Sequence, residues 1–286
     1  MINFWHDLQR IYDGQVLPTD SWFEYLQERA GEESSPNYDE SRKWYYDNYG
    51  NHNVCGYPAT DFTQGWGGNK QGLLLRHSGI TLEDLAGLRQ LHLNNTKFFL
   101  AISLLATSEY NHNQNIIHTW TYNGRFRKEH KNIVGFMFQD LPVKLEQDVF
   151  ASVRRQTKEC IIHKNYPYTS IDEHFLEDDK LCFMYNGRLY FDGPLIDISD
   201  GLIEMQHSYA GSQNILDVEV LEADDGIDLL FDYAAHRYKP ESIERYSELF
   251  IRILHDTLRR MTTQRLQKNI TMTSFNRSVF MVSTVL

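Results

Sequence analysis

Four segments in fixed order constrain this chain more than anything else in it. Ile116-Ile117-His118-Thr119-Trp120-Thr121-Tyr122 is a run of β-branched and aromatic residues and reads as a buried strand. Asn123-Gly124-Arg125 follows as a turn, because Asn and Gly accept backbone angles that other residues resist. A second apolar run, from Ile133 to Val143, reads as another strand. A helix begins near Gln147 and ends in His163-Lys164-Asn165-Tyr166-Pro167-Tyr168, where the proline stops it. Strands and helices mixed in this way point to an α/β protein.

The rest of the chain supplies more of both. Trp5, Leu8 and Tyr12 share a face, so Ile2 to Tyr12 is expected to be helical and to stop at Asp13-Gly14. That helix has no capping residue ahead of it, which fits either a preceding segment or a frayed end. Asp20 or Ser21 can cap a second helix through Trp22, Tyr25 and Leu26, and a third follows Ser34-Ser35-Pro36 with Trp44 and Tyr45 inward. Gly50 to Gly72 reads as a loop and Leu73-Leu74-Leu75 as a short strand. Thr81-Leu82-Glu83-Asp84 opens a helix as a capping-box variant. Thr96 is expected to cap the next, nearly all-apolar helix through Phe98, Phe99, Ile102 and Leu105. Four strands are expected at residues 181–190, 202–209, 215–221 and 227–233, joined as antiparallel hairpins by glycines. Pro240 begins a final helix with Ile243, Tyr246 and Phe250 inward, and beyond Arg260 a poorly ordered tail is expected.

Composition removes several classes of function. With 28 basic and 39 acidic residues the net charge is -11, which repels phosphate backbones and anionic membranes. No nucleic-acid or membrane partner is expected. No segment has the length of a membrane span, and the first residues do not read as a signal peptide. Cys55, Cys160 and Cys182 are widely spaced, so no zinc or dithiol motif is present, and a reducing cytoplasmic setting is the simplest reading. His52 and His112 lie in Asn-His-Asn turns and read as solvated loop residues, so no metal site is expected. There is no Gly-x-Ser-x-Gly elbow. Asp61-Phe62 with Gly65-Trp66-Gly67 reads as a flexible loop. His163 ends a helix, and His118, in a strand, either faces a cleft or is bonded internally.

Taken together, the motifs resemble a nonribosomal peptide synthetase condensation domain, in its C-terminal half. Asp7-Leu8 with Tyr12 and Gly14, Trp22-Phe23-Glu24-Tyr25 and Lys43-Trp44-Tyr45 are similar to its early helical motifs. Asn123-Gly124-Arg125 matches its Gly-Arg turn, and Asn165-Tyr166-Pro167-Tyr168 its Asp-Tyr-Pro-Phe motif. Gly135-Phe136 with Leu141-Pro142 matches its Gly-Phe to Leu-Pro strand, with Gln139-Asp140 where Asn-Thr is usual. No single match is specific; their order and spacing are.

The resemblance implies a chloramphenicol-acetyltransferase-like fold: two lobes, each an open sheet packed with helices, and a tunnel between them. Residues 1–50 would be a helical segment continuing from an N-terminal lobe, 51–72 a loop, 73–260 the C-terminal lobe and 261–286 a tail. Gly124 to Lys131 would cross over to the other lobe, with Arg125 fixing that crossover. Gly124, Arg125, His118, Phe138 and Asp140 are the candidate tunnel or crossover residues. The implied reaction is amide formation, in which an amine attacks a thioester borne on the phosphopantetheine of a carrier protein. That arm is a substrate, and no bound cofactor is expected.

The family's catalytic His-His-x-x-x-Asp-Gly is not in this sequence. One reading is therefore a partial condensation domain, inactive alone, that works with carrier domains and an N-terminal half on another chain. A second is a noncatalytic remnant or carrier-binding module. A third is a self-sufficient acyltransferase using His174 and Asp178. His174-Phe175-Leu176-Glu177-Asp178 has His-x-x-x-Asp spacing but lacks the flanking His and Gly, and with twelve histidines about one such match arises by chance.

Overall fold

The computed structural model describes residues 2–16, 22–50, 56–63, 71–125, 127–128, 130, 133–135, 137–168, 171, 181–186, 214–223 and 225–282. Side chains of residues 2–6, 90–91, 262 and 264–282 are outside the description. Three helices come first: α1 (Ile2–Tyr12), α2 (Trp22–Glu33) and α3 (Pro36–Tyr49). Then come β1 (Gln71–His77), a 3-10 turn at Ala86–Leu91, α4 (Asn95–Asn111), β2 (Ile117–Tyr122), β3 (Gln139–Lys144) and α5 (Val149–Ile162). The chain finishes with β4 (Leu181–Asn186), β5 (Leu216–Glu222), β6 (Ile227–Ala234) and α6 (Pro240–Val282).

The strands form one open mixed sheet in the order β1-β6-β5-β4-β2-β3. Strand alternation gives the sheet two different faces. Trp120, Phe183, Val218 and Phe231 lie in register on one face, and α4 and α6 cover it. Phe98, Phe99, Leu100, Ile102 and Leu104 of α4 have no exposed surface, so this helix is the centre of the core, as its all-round apolarity requires. Tyr246 and Phe250 of α6 pack edge-on to Phe231. The opposite face is polar and carries Thr119, Thr121, Asp140, Cys182, Asp217, Glu219 and Asp232. Burial pushes the Glu219 carboxyl upward; a bond from Asn186 opposes this and the nearby Asp232 charge adds to it.

β3 is an edge strand, and its exposed end is protected. Gln156 of α5 accepts from Lys144 N at 3.0 Å and donates to Lys144 O at 2.8 Å, so a side chain completes the ladder.

Several expectations are corrected. The second strand covers only Gln139–Lys144 and not the whole run from Ile133. The Ile133 and Gly135 carbonyls bond the Arg125 guanidinium instead of a neighbouring strand. Asn94, not Thr96, caps α4, accepting from Lys97 N at 3.0 Å. Thr81 and Asp84 do exchange capping-box bonds, but a 3-10 turn follows and not an α-helix. β5 and β6 are the antiparallel pair expected, and β4 lies parallel beside β5. The long connection between β4 and β5 gives room for the crossover that parallel strands need. The strand expected at residues 202–209 lies outside the described residues. Asp61, read as part of a flexible loop, accepts from Lys239 N and Ser242 Oγ, both at 2.8 Å, and so caps α6. The backbone of α6 is helical through Val282. No described helix is long and apolar enough to cross a membrane.

Candidate functional site

A pocket of about 430 Å³ opens on the polar face, beside β2, β3 and β4. Thr121, Asp140, Cys182 and Met184 form its floor because they share one side of three neighbouring strands. The three polar floor groups are bonded together. Thr121 Oγ1 donates to Asp140 Oδ1 at 3.2 Å and lies 3.2 Å from Cys182 Sγ, and the thiol donates to the same carboxylate oxygen at 3.7 Å. Phe138 forms part of the rim and is 49% exposed.

The walls come from farther away in sequence. Tyr166, Pro167 and Tyr168 of the Asn-Tyr-Pro-Tyr motif line one side. Lys164, just before them, and Arg29 of α2 add cationic groups. Burial lowers the Lys164 pKa; the nearby Glu32 carboxylate opposes that and the Arg29 charge reinforces it. Arg29 is itself paired with Glu32 at 2.5 Å.

The residues singled out from sequence fall in three places. Asp140 and Phe138 are at the pocket. Gly124 and Arg125 lie beside it and shape the connection between β2 and β3. Gly124 has φ +70°, and a Cβ there would stand 2.0 Å from the Met137 carbonyl oxygen, so only glycine makes this turn. Arg125 then donates to Ile133 O at 3.0 Å and to Gly135 O at 3.1 Å, tying the connection to itself, and burial lowers its pKa. His118 is on the other side of the sheet and not at the pocket. It is 1% exposed beneath α4, with Nδ1 3.1 Å from Ser103 Oγ. Burial lowers its pKa to about 3, so it stays neutral. His174 and Asp178 lie outside the described residues, as does His52.

A second Ser-His contact is structural. Ser41 Oγ donates to Asn165 Oδ1 at 2.6 Å, so the His163 Nδ1 3.1 Å away meets the oxygen of a hydroxyl whose proton is already engaged. His163 also stacks on Trp44 at 4.4 Å, which fixes α3 to the end of α5. His112 is the left-handed residue that ends α4. Among the described residues no group of three potential ligands could hold a metal.

Thr121, Cys182, Lys164 and Arg29 were not singled out from sequence. Period-2 alternation along β2 was the one available signal, since it sets Thr119 and Thr121 opposite His118 and Trp120. The partnership of β2 with β4, which brings in Cys182, leaves no local trace.

The family model described as the condensation domain matches residues 81–279. The chain belongs to the condensation-domain family. Solved structures agree on the fold. The epimerization domain from the third module of tyrocidine synthetase B is 15% identical with a TM-score of 0.65; the match covers 89% of this chain and 64% of that one. The SgcC5 protein from Streptomyces globisporus is 14% identical with a TM-score of 0.65, over 86% of this chain and 61% of that one. The first condensation domain of the calcium-dependent antibiotic synthetase is 12% identical with a TM-score of 0.64, over 87% of this chain and 58% of that one. The chain thus spans about three fifths of these related structures. No curated protein matches it in sequence.

Proposed function

We propose that this chain supplies the C-terminal lobe of a condensation site, in which an acceptor amine attacks a phosphopantetheine-borne thioester to form an amide. The observation that carries this reading is the pocket on the polar sheet face, floored by Thr121, Asp140 and Cys182 and lined by Tyr166, Pro167 and Tyr168, from the segment that matches the family's Asp-Tyr-Pro-Phe motif. The opposite face is covered by α4 and α6, whose side chains form the main core.

The described pocket residues include no histidine. The part we propose for the described residues is orientation. Holding amine and thioester together removes much of the entropic barrier, while proton transfer from the attacking nitrogen falls to a histidine of the His-His-x-x-x-Asp-Gly motif on a partner lobe. Carrier protein domains deliver the thioester, and the net charge of -11 fits a protein partner and not a nucleic acid.

The test combines the purified chain with a separately produced N-terminal lobe bearing that motif and with carrier-bound thioesters. Amide product, read by mass spectrometry, is expected only when both lobes are present. Failure of the lobes to associate, together with no product, removes the reading. Capture of loaded carrier without turnover would make the chain a noncatalytic binding module instead.

A further inference from the structure

The described residues of the connection between β2 and β3 are held from outside by α2. Three contacts join them along one face of the helix, spaced as neighbours one turn apart. The Trp22 indole lies on Gly135, where an added Cβ would stand 2.3 Å from the ring carbon Cε3. Tyr25 is buried with Ile133 and Met137, and its ring meets that of His130 edge-on at 5.4 Å. Glu28 pairs with Arg127 at 2.6 Å and lies 3.8 Å from His130 Nε2. Arg125 holds the same connection from within, through its bonds to Ile133 O and Gly135 O.

The small Tyr25 cluster is separate from the main core. A satellite cluster of this kind can open without unfolding the sheet, because few apolar contacts are lost when it does. It is also adjacent to the pocket on both sides. Arg29, the next residue of α2 after Glu28, lines the pocket, and so does Phe138 at the far end of the connection. A ligand touching both would bridge the two halves of the contact.

We propose that α2 and the β2–β3 connection form a clasp, keyed by Trp22 on Gly135, whose closure completes the pocket and is coupled to its occupancy. The coupling rests on the pocket being the substrate site; the clasp itself does not. Trp22 is a positioning residue, acting on Phe138 through Gly135 and the connection. By linkage, whatever ligand closes the clasp binds more tightly when the clasp is already closed.

The experiment is hydrogen exchange on the full chain. Trp22→Ala is expected to lower protection of α2 and of the connection together, by about tenfold, with β5 and β6 unchanged. Gly135→Ala, which displaces the indole, is expected to do the same, and the double variant to be no worse than either single one. Loss confined to α2, or effects that add, would overturn the clasp. Should Trp22→Ala not fold, Glu28→Gln removes only the ion pairs and has the same two-segment readout. Acetyl-pantetheine thioester added to the unaltered chain is expected to raise protection in both segments. A clasp that passes the double-variant test yet ignores the thioester refutes the pocket reading and leaves the clasp standing.

Discussion

Gly124 and His118 show how single residues of the Ile116-to-Tyr168 run act in different ways. Gly124 combines φ +70° with a carbonyl oxygen where a side chain would begin. Gly124→Ala is expected to destabilise the fold by about 1–3 kcal/mol. The measurement is a urea titration in which the midpoint falls and the slope stays constant. His118 makes stability depend on pH. Its pKa is about 3 when folded, because burial disfavours the imidazolium, against about 6.5 when the chain is unfolded. Between these values the unfolded state binds more protons. The contribution is therefore fully present above pH 6.5 and is lost as pH falls toward 3, by about 1.4 kcal/mol per unit across that window. His118→Gln is expected to flatten this slope in urea titrations from pH 7 to pH 4. A profile as steep as that of the unaltered chain would exclude His118 as its source.

At the scale of elements, caps show what a local reading catches and what it loses. The apolar helix α4 was legible, but its cap was misplaced by two residues, since Asn94 and Thr96 both suit the role. Backbone geometry chooses Asn94, whose extended conformation precedes the first turn. The cap of α6 could not be read locally at all. Asp61 reaches the helix start from a loop far earlier in the chain. Asp61→Ala is expected to lower stability by about 1 kcal/mol, seen as a drop in Tm, because it strips an acceptor from Lys239 N and a negative charge from the helix N-terminus. The strand running into Leu141-Pro142 was legible as an apolar run, but its length was not. A period-2 pattern cannot show that Arg125 occupies the carbonyls of Ile133 and Gly135.

For the molecule as a whole, the two faces of the sheet set the expectation. One is covered by helices and the other bears the pocket, so the proposed function puts binding and partner contact on the polar face. Mixing the chain with an N-terminal lobe is expected to give a one-to-one complex by light scattering, weakened by substitutions on the polar face and indifferent to exposed positions of α6 such as Arg252. The sequence by itself determined the family, the α/β class and the order of helices and strands, because these rest on side-chain periodicity, turn residues and motif spacing along the chain. It also named Asp140, Phe138 and the Asn-Tyr-Pro-Tyr segment, of which Asp140, Phe138 and residues 166–168 meet at the pocket. Only the tertiary structure decided that β2 lies between β3 and β4, which brings Cys182 beside Thr121 and Asp140 and turns His118 away under α4. The same is true of α2, whose aromatic run was noticed as a motif but whose partner, Gly135, was not. Strand pairing and helix docking join residues far apart in the chain. They are chosen by which surfaces fit once the sheet has formed, and no local pattern records that choice.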